Sequence, residues 1–412
     1  MTRTPTASGS GARSVVVFAM GERGHYKRLR PIIAGLAASG LDTTVFTDAA
    51  FADDVRARGA RFRDLFADRP LAVADDASIP IPARFVSFAG RFADDVVREA
   101  AELRPALVVH DTFAVIGAVV AHHLGVPRVN VCAGHNLAPE PTLAALANDP
   151  RVRISDRCRR AVETLRARHG IPDASPFSYV ALLSSDLNVY CEPPEFLLEH
   201  ERAAFAPVDF FGSLLPDPVV RGDQTAFAAS DANGPRFYAS FGTVVWRYYR
   251  DAAVSALAAF SDAVASMPGA RGLISLGGRG TAEDAALLAR RNVRVEHYVD
   301  QWHVLAATDA LVTHHGLNST HEAIWQGVPM LGYPFFSDQP GLAARCRDLG
   351  VSIPLAEELR GVVTPATILA ALERVGTLRA RVAEARVWEE RVMRRRPEVL
   401  ARIVKLAEAG GA

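Results

Sequence analysis

Residues 14–49 read SVVVFAMGERGHYKRLRPIIAGLAASGLDTTVFTDA. An apolar run ends at Met20, a turn holding Gly21 and Gly24 follows, amphipathic spacing carries the chain to Ser39, and a β-branched run begins at Thr43. Strand, glycine turn, helix and strand in that order open a parallel α/β sheet. Outward from this unit, PALVVHD (105–111), GVPRVNV (125–131) and SDLNVYCE (185–192) supply further apolar strands, separated by helix-length segments such as Thr112 to Leu124. One doubly wound domain is expected over residues 14–211.

Between Gly212 and Pro235 the chain reads GSLLPDPVVRGDQTAFAASDANGP, where Pro, Gly, Asp and Ser break every periodicity, so 212–235 reads as a linker. The alternation then restarts with RFYASFG (236–242), RGLISLGG (271–278), VRVEHY (293–298), ALVTHHG (310–316) and VPMLGYP (328–334). A second parallel sheet is expected over 236–381. Residues 382–412 keep helical spacing in an Arg/Glu-rich stretch and predict a C-terminal helix that packs back across both domains. The first thirteen residues, MTRTPTASGSGAR, are polar and small, and predict a disordered N-terminus. Parallel sheets bind ligands at the carboxyl ends of their strands, so two facing sheets make a cleft suited to a two-substrate enzyme.

Composition narrows the function classes. Lys plus Arg equals Asp plus Glu at 46 each, which leaves no positive excess for a nucleic acid or an anionic membrane. Only Lys27 and Lys405 are lysines, so Schiff-base or P-loop chemistry has almost no candidate. The four cysteines are far apart, form no C-x-x-C pair, and read as reduced thiols. With no signal peptide and no apolar run of membrane-spanning length, a cytoplasmic protein is expected.

The densest chemistry lies in THHGLNSTHEAIWQGVP, residues 313–329. An apolar strand delivers a glycine turn, and a helix starts near Ser319. Free backbone N–H groups at that end form an anion site suited to a diphosphate, with Asn318, Ser319, Thr320 and His314 as added donors, the last able to carry charge. A plain N-cap would use the same Ser or Thr. In the first domain, GERGH puts His25 at the carboxyl end of the first strand, where a neutral imidazole would accept the proton of an attacking alcohol. Asp111, ending PALVVHD, is placed either to orient that imidazole or to cap the next helix.

These stretches together resemble the UDP-sugar glycosyltransferases of bacteria and plants, the family of macrolide and natural-product glycosyltransferases, over essentially the whole chain from Ser14. YVDQWHVL (298–305) is similar to the family's W-x-P-Q-x-x-x-L, with Tyr298 for Trp and Asp300 for Pro. Thr313, His314, Gly316, Ser319, Thr320 and Glu322 match T-H-x-G-x-x-S-T-x-E, with His315 in place of a small residue. GVPMLGYPFFSDQ (327–339) matches the closing G-V-P-x-x-x-x-P-x-x-x-D-Q, ASFGT (239–243) the S-F-G-S/T segment, and Gly24-His25 the G-H-x-x-P turn, with Arg28 where its proline stands.

The resemblance implies two facing Rossmann-like domains, the GT-B fold. It makes His25 the general base and Asp111 its partner. Tyr298 would stack on the nucleobase beside Gln301. His314, Gly316, Asn318, Ser319 and Thr320 would hold the diphosphate, with Gly242 and Thr243 meeting it from the opposite side. Glu322 would accept the ribose hydroxyls, and Asp338 and Gln339 would hold the sugar. The implied reaction is inverting, with a UDP-sugar as co-substrate, best UDP-glucose, and neither a metal nor another cofactor. The acceptor is expected to be a small apolar or aromatic natural product, shaped by residues 66–92 and 137–179. Oligomeric state is left open.

Three other readings fit parts of the sequence. A nucleotide-dependent oxidoreductase would use GERG, but G-x-x-G lacks the third glycine and the G-x-G spacing. A metal enzyme would use His314, His315, His321 and Glu322, but HEAIW is not H-E-x-x-H, and no Asp-x-Asp occurs in the chain. A non-catalytic sugar-nucleotide-binding protein needs neither His25 nor Asp111. Within the glycosyltransferase class, a TDP-deoxysugar donor is the alternative.

Overall fold

The computed structural model describes residues 13–72, 82–135, 138–149, 152–214, 227 and 234–410. The expected disordered N-terminus, apart from Arg13, and most of the 212–235 linker lie outside the described residues.

Seven parallel strands form the first sheet: β1 (Ser14–Phe18), β2 (Asp42–Thr47), β3 (Arg61–Asp64), β4 (Leu107–Asp111), β5 (Arg128–Cys132), β6 (Leu187–Tyr190) and β7 (Val208–Phe210). Their spatial order is β3-β2-β1-β4-β5-β6-β7. Six parallel strands form the second: β8 (Arg236–Ser240), β9 (Arg271–Ser275), β10 (Val293–Glu296), β11 (Ala310–Thr313), β12 (Met330–Gly332) and β13 (Ser352–Pro354), in the order β10-β9-β8-β11-β12-β13. In both sheets the strand order reverses once, at β1/β4 and at β8/β11. Those two switch points are where loops diverge and ligands bind.

β3, β7 and β13 escape a reading of apolar runs for one physical reason. Each is an edge strand of three or four residues with a half-exposed pattern, so burial does not force it to be continuously apolar. The central β1 and β4 are Val-rich and buried along nearly their whole length.

The expected single C-terminal helix is two helices, Arg379–Arg394 and Arg396–Ala409. Pro397 is the cause, since its ring lacks an N–H and clashes with the carbonyl four residues earlier. The break lets the first helix lie on the second domain while the last returns to the first. There Arg396 donates to the Phe211 and Leu214 carbonyls at 2.8 and 2.7 Å, and Arg402 pairs with Asp209 at 3.0 Å. Val382 and Ala385 of one helix and Val399, Ile403 and Ala407 of the other join a single buried cluster that also contains Val15 and Leu311, one from each sheet. No helix among the described residues is long and apolar enough to cross a membrane.

Candidate active site

His25 and Asp111 meet at the first switch point because β1 and β4 are neighbours in register, Phe18 opposite His110. The helix Arg23–Ala38 starts just after β1 and carries His25 in its first turn. His25 Nδ1 lies 2.8 Å from Asp111 Oδ1, and the imidazole stacks on Phe113 with ring centroids 4.1 Å apart. Asp111 is fully buried and also accepts the Phe113 amide at 2.8 Å and the Met20 amide at 3.2 Å. Burial alone would push its carboxyl up; the charge and hydrogen bond of His25 and the two amides outweigh it and hold it below the ordinary range. The carboxylate therefore fixes Nδ1–H and leaves Nε2 as the basic nitrogen. Phe85 and Tyr179 pack on Phe113 at 5.5 and 5.6 Å, so the base stands on an aromatic wall.

At the second switch point, Gly316 precedes the helix Leu317–Trp325 with no side-chain cap, leaving its first amides to another acceptor. His314 fills the space between Gly316 and Gly242, where a Cβ on Gly242 would stand 2.8 Å from Nε2. Gly242 has a φ of 66°, which only glycine adopts without strain. Burial pushes His314 down to about 4. Buried in this way, the imidazole is neutral near pH 7.

The remaining expected residues divide. Glu322, Gln301 and Ser319 are together, with Gln301 Nε2 donating to Glu322 Oε2 at 2.7 Å and to Ser319 Oγ at 3.1 Å. Asn318 faces the other domain, its amide nitrogen 3.8 Å from where a Cβ on Gly24 would stand, and its buried Oδ1 has no partner among the described residues. Tyr298 presents its ring at 62% exposure beside Gly278, and Thr243 is exposed in the turn after β8. Asp338 accepts the His135 amide at 3.1 Å from across the cleft. Two residues turn away. Thr320 is fully buried and bonded to His315 at 3.2 Å, and Gln339 Oε1 accepts the Phe335 amide at 2.9 Å within its own loop.

The histidines that suggested a metal cluster scatter. His315, at a φ of 57°, reaches Ser352 at 2.9 Å, and burial pushes it down to about 3. His321 bonds Glu192 at 3.0 Å and Glu389. Among the described residues no three His, Cys, Asp or Glu side chains are grouped to hold a metal ion. Asp300, standing where the family pattern has proline, caps the helix Gln301–Leu305 by accepting the Trp302 amide at 3.2 Å.

Sequence reasoning missed the residues that join the halves. Lys27 reaches from the helix Arg23–Ala38 to Glu322 Oε1. His135 Nδ1 bonds Glu192 Oε1 at 2.7 Å, Glu192 bonds His321, and His321 bonds Glu389 of the first C-terminal helix. A signal for Glu192 existed: it follows β6 at a carboxyl strand end, as Asp111 ends β4. Arg28 is buried close to Asp111, Glu192 and Asp338, whose charges oppose the effect of its burial.

Two doubly wound sheets thus face each other across a cleft held by Lys27–Glu322 and His135–Asp338. A model of the UDP-glucoronosyl and UDP-glucosyl transferase family matches residues 194–391. The chain has the GT-B fold. The glycotransferase of kitacinnamycin superposes with a TM-score of 0.74 at 21% identity, covering 95% of this chain and 99% of that one. Glycosyltransferase VinC, solved in complex with dTDP, superposes at 0.67 and 19% identity over 96% of this chain and all of its own. In sequence, the NDP-glycosyltransferase YjiC of Bacillus subtilis is 24% identical over 258 residues, 62% of this chain and 61% of that protein. The match thus spans less than two thirds of that relative. The stretch from Tyr298 to Gln339 that resembles the family's motif lies within the matched residues, with Tyr298 and His315 departing from it.

Proposed function

We propose that the chain is an inverting, metal-independent glycosyltransferase that moves a hexose, glucose from UDP-glucose, to a hydroxyl of a small aromatic or apolar natural product. The observation that carries this reading is the 2.8 Å His25–Asp111 dyad, set across the cleft from the uncapped helix that starts at Leu317. Nε2 of His25 takes the acceptor proton as the oxygen attacks the anomeric carbon, and Asp111 stabilises the imidazolium. The diphosphate leaves against the amides of residues 317–319. One displacement inverts the anomeric centre. Phe85, Phe113 and Tyr179 beside the base favour an aromatic acceptor face.

The test is UDP release from UDP-glucose with and without a phenolic acceptor, in excess chelator, with the anomeric configuration of the product assigned by NMR. A retained configuration, or turnover abolished by chelator, overturns the reading. A second reading, a TDP-deoxysugar donor, is favoured by one observation. Both oxygens of Glu322 already have partners, Lys27 and Gln301, which lowers the demand for a ribose 2′-hydroxyl.

A further inference from the structure

Glu322 stands five residues into the helix Leu317–Trp325, roughly 7–8 Å along the axis from the amides proposed for the diphosphate. Its side chain is 6% exposed, and the one cation bonded to it among the described residues, Lys27 Nζ, comes from the other domain. Gly24, three residues before Lys27, packs on Asn318 in the first turn of the same helix. The segment from Gly24 to Lys27 thus follows this helix from its amino end to Glu322, the path that a nucleoside diphosphate takes when its ribose is held at Glu322. Lys27 is one-third exposed, so incoming substrate can reach it.

A leaving diphosphate gains negative charge that something in the site must meet. His314 is neutral near pH 7 because burial pushes it down to about 4, and the uncapped amides supply only a partial positive charge. A lysine ammonium has three rotatable donors on a flexible four-carbon stem, so it swings between neighbouring anions at little cost.

We propose that Lys27 is a donor-site residue lent by the acceptor domain: its ammonium passes from Glu322 to the diphosphate as the ribose hydroxyls take its place on the carboxylate. This rests on the nucleotide-donor reading above. It assigns Lys27 two opposite effects, competing with the nucleoside and attracting the diphosphate, which a plain interdomain brace does not have.

The experiment is calorimetric titration of the full chain with uridine and with UDP, for wild type, Lys27→Met and Lys27→Arg, with thermal melts to confirm folding. In Lys27→Met, UDP affinity is expected to fall about tenfold or more while uridine affinity holds or rises, and Lys27→Arg is expected to retain most UDP affinity. The UDP affinity of wild type should weaken with added salt more steeply than that of Lys27→Met. Equal loss of uridine and UDP in Lys27→Met, or no loss of UDP, overturns the Lys27 role and leaves the nucleotide reading standing. A wild type that does not bind UDP overturns the UDP-donor reading and this role with it.

Discussion

His321 Nε2 lies 3.0 Å from Glu192 Oε2, so a histidine on the helix Leu317–Trp325 of the second domain is paired with a carboxylate at the end of a first-domain strand, both fully buried. Its other nitrogen meets Glu389 of the first C-terminal helix. Burial opposes protonation of His321, but the carboxylates of Glu389 and Glu192 outweigh it and raise the imidazole to about 9. Burial likewise works against ionised Glu192, yet His135 and His321 pull it down to about 2.

The signs fix a pH dependence of stability. The contribution of His321 is complete below its unfolded value of 6.5 and is lost as pH rises through about 9. That of Glu192 is complete above its unfolded value of 4.5 and is lost as pH falls through about 2. The Tm of wild type is therefore expected to decline between pH 6.5 and 9, and His321→Gln to flatten that decline. Removing one buried partner outright, as in Glu192→Ala, should cost about 3–5 kcal/mol. Melts recorded across this range settle the matter, since parallel curves for wild type and His321→Gln would take the pair out of the stability account.

His25→Ala is expected to lower transfer by about 10²–10⁴-fold while leaving UDP affinity nearly unchanged, because the base touches the acceptor and not the nucleotide. Asp111→Asn should retain more transfer but lose thermal stability, since Asp111 also accepts the Met20 and Phe113 amides in a fully buried setting. Full activity of His25→Ala on an alcohol acceptor would remove His25 from the mechanism.

Gly242→Ala tests the packing of the donor site. The left-handed φ of 66° costs an alanine about 1–2 kcal/mol, and its Cβ would stand 2.8 Å from His314 Nε2 and displace the ring. Gly327, with a φ of 74° and open space around it, is the control: Gly327→Ala pays the same backbone cost without touching His314. Both variants should lose similar stability, and only Gly242→Ala should lose about tenfold in UDP affinity. Equal UDP binding by the two would show that His314 does not shape the site.

The legible parts of this molecule are those where burial or backbone geometry constrains residue type. β1 and β4 must be apolar along their length, a Cβ on Gly316 after β11 would strike His314, and the carboxyl ends of central strands face the cleft. These made the two facing sheets legible, and with them the strand ends that carry His25 and Asp111 and the turn before the helix Leu317–Trp325. Contacts between distant segments carried no local signal. Lys27 reads as an ordinary exposed helical residue until Glu322 of the other domain is set against it. His321 and Glu192 are spaced for neither metal nor capping, and their pairing follows only from how the domains meet. His314 shows the converse limit: its place was legible, but its neutral charge state depends on burial, which the motif does not encode.

Donor choice turns on Glu322. Its carboxylate offers roughly four lone-pair positions; once the Lys27 ammonium has passed to the diphosphate only Gln301 holds it, and the rest is open to two ribose hydroxyls. A deoxyribose leaves part of that buried acceptor unpaired, at about 1–3 kcal/mol. UDP-glucose is therefore expected to exceed TDP-glucose in kcat/KM by about ten- to a hundredfold, since 1.4 kcal/mol is a factor of ten. Comparing the same sugar on two nucleotides keeps Asp338 and any other sugar contact constant, so the ratio reports on the nucleotide alone. Glu322→Ala removes the acceptor and should collapse the ratio towards one, chiefly by lowering the rate with UDP-glucose. Lys27→Met, which frees one carboxylate oxygen, should leave the ratio intact or widen it while slowing both donors, because the diphosphate is common to them. Equal use of both nucleotides by the wild type would show that Glu322 does not read the 2′-hydroxyl, and the TDP-deoxysugar reading would then lead.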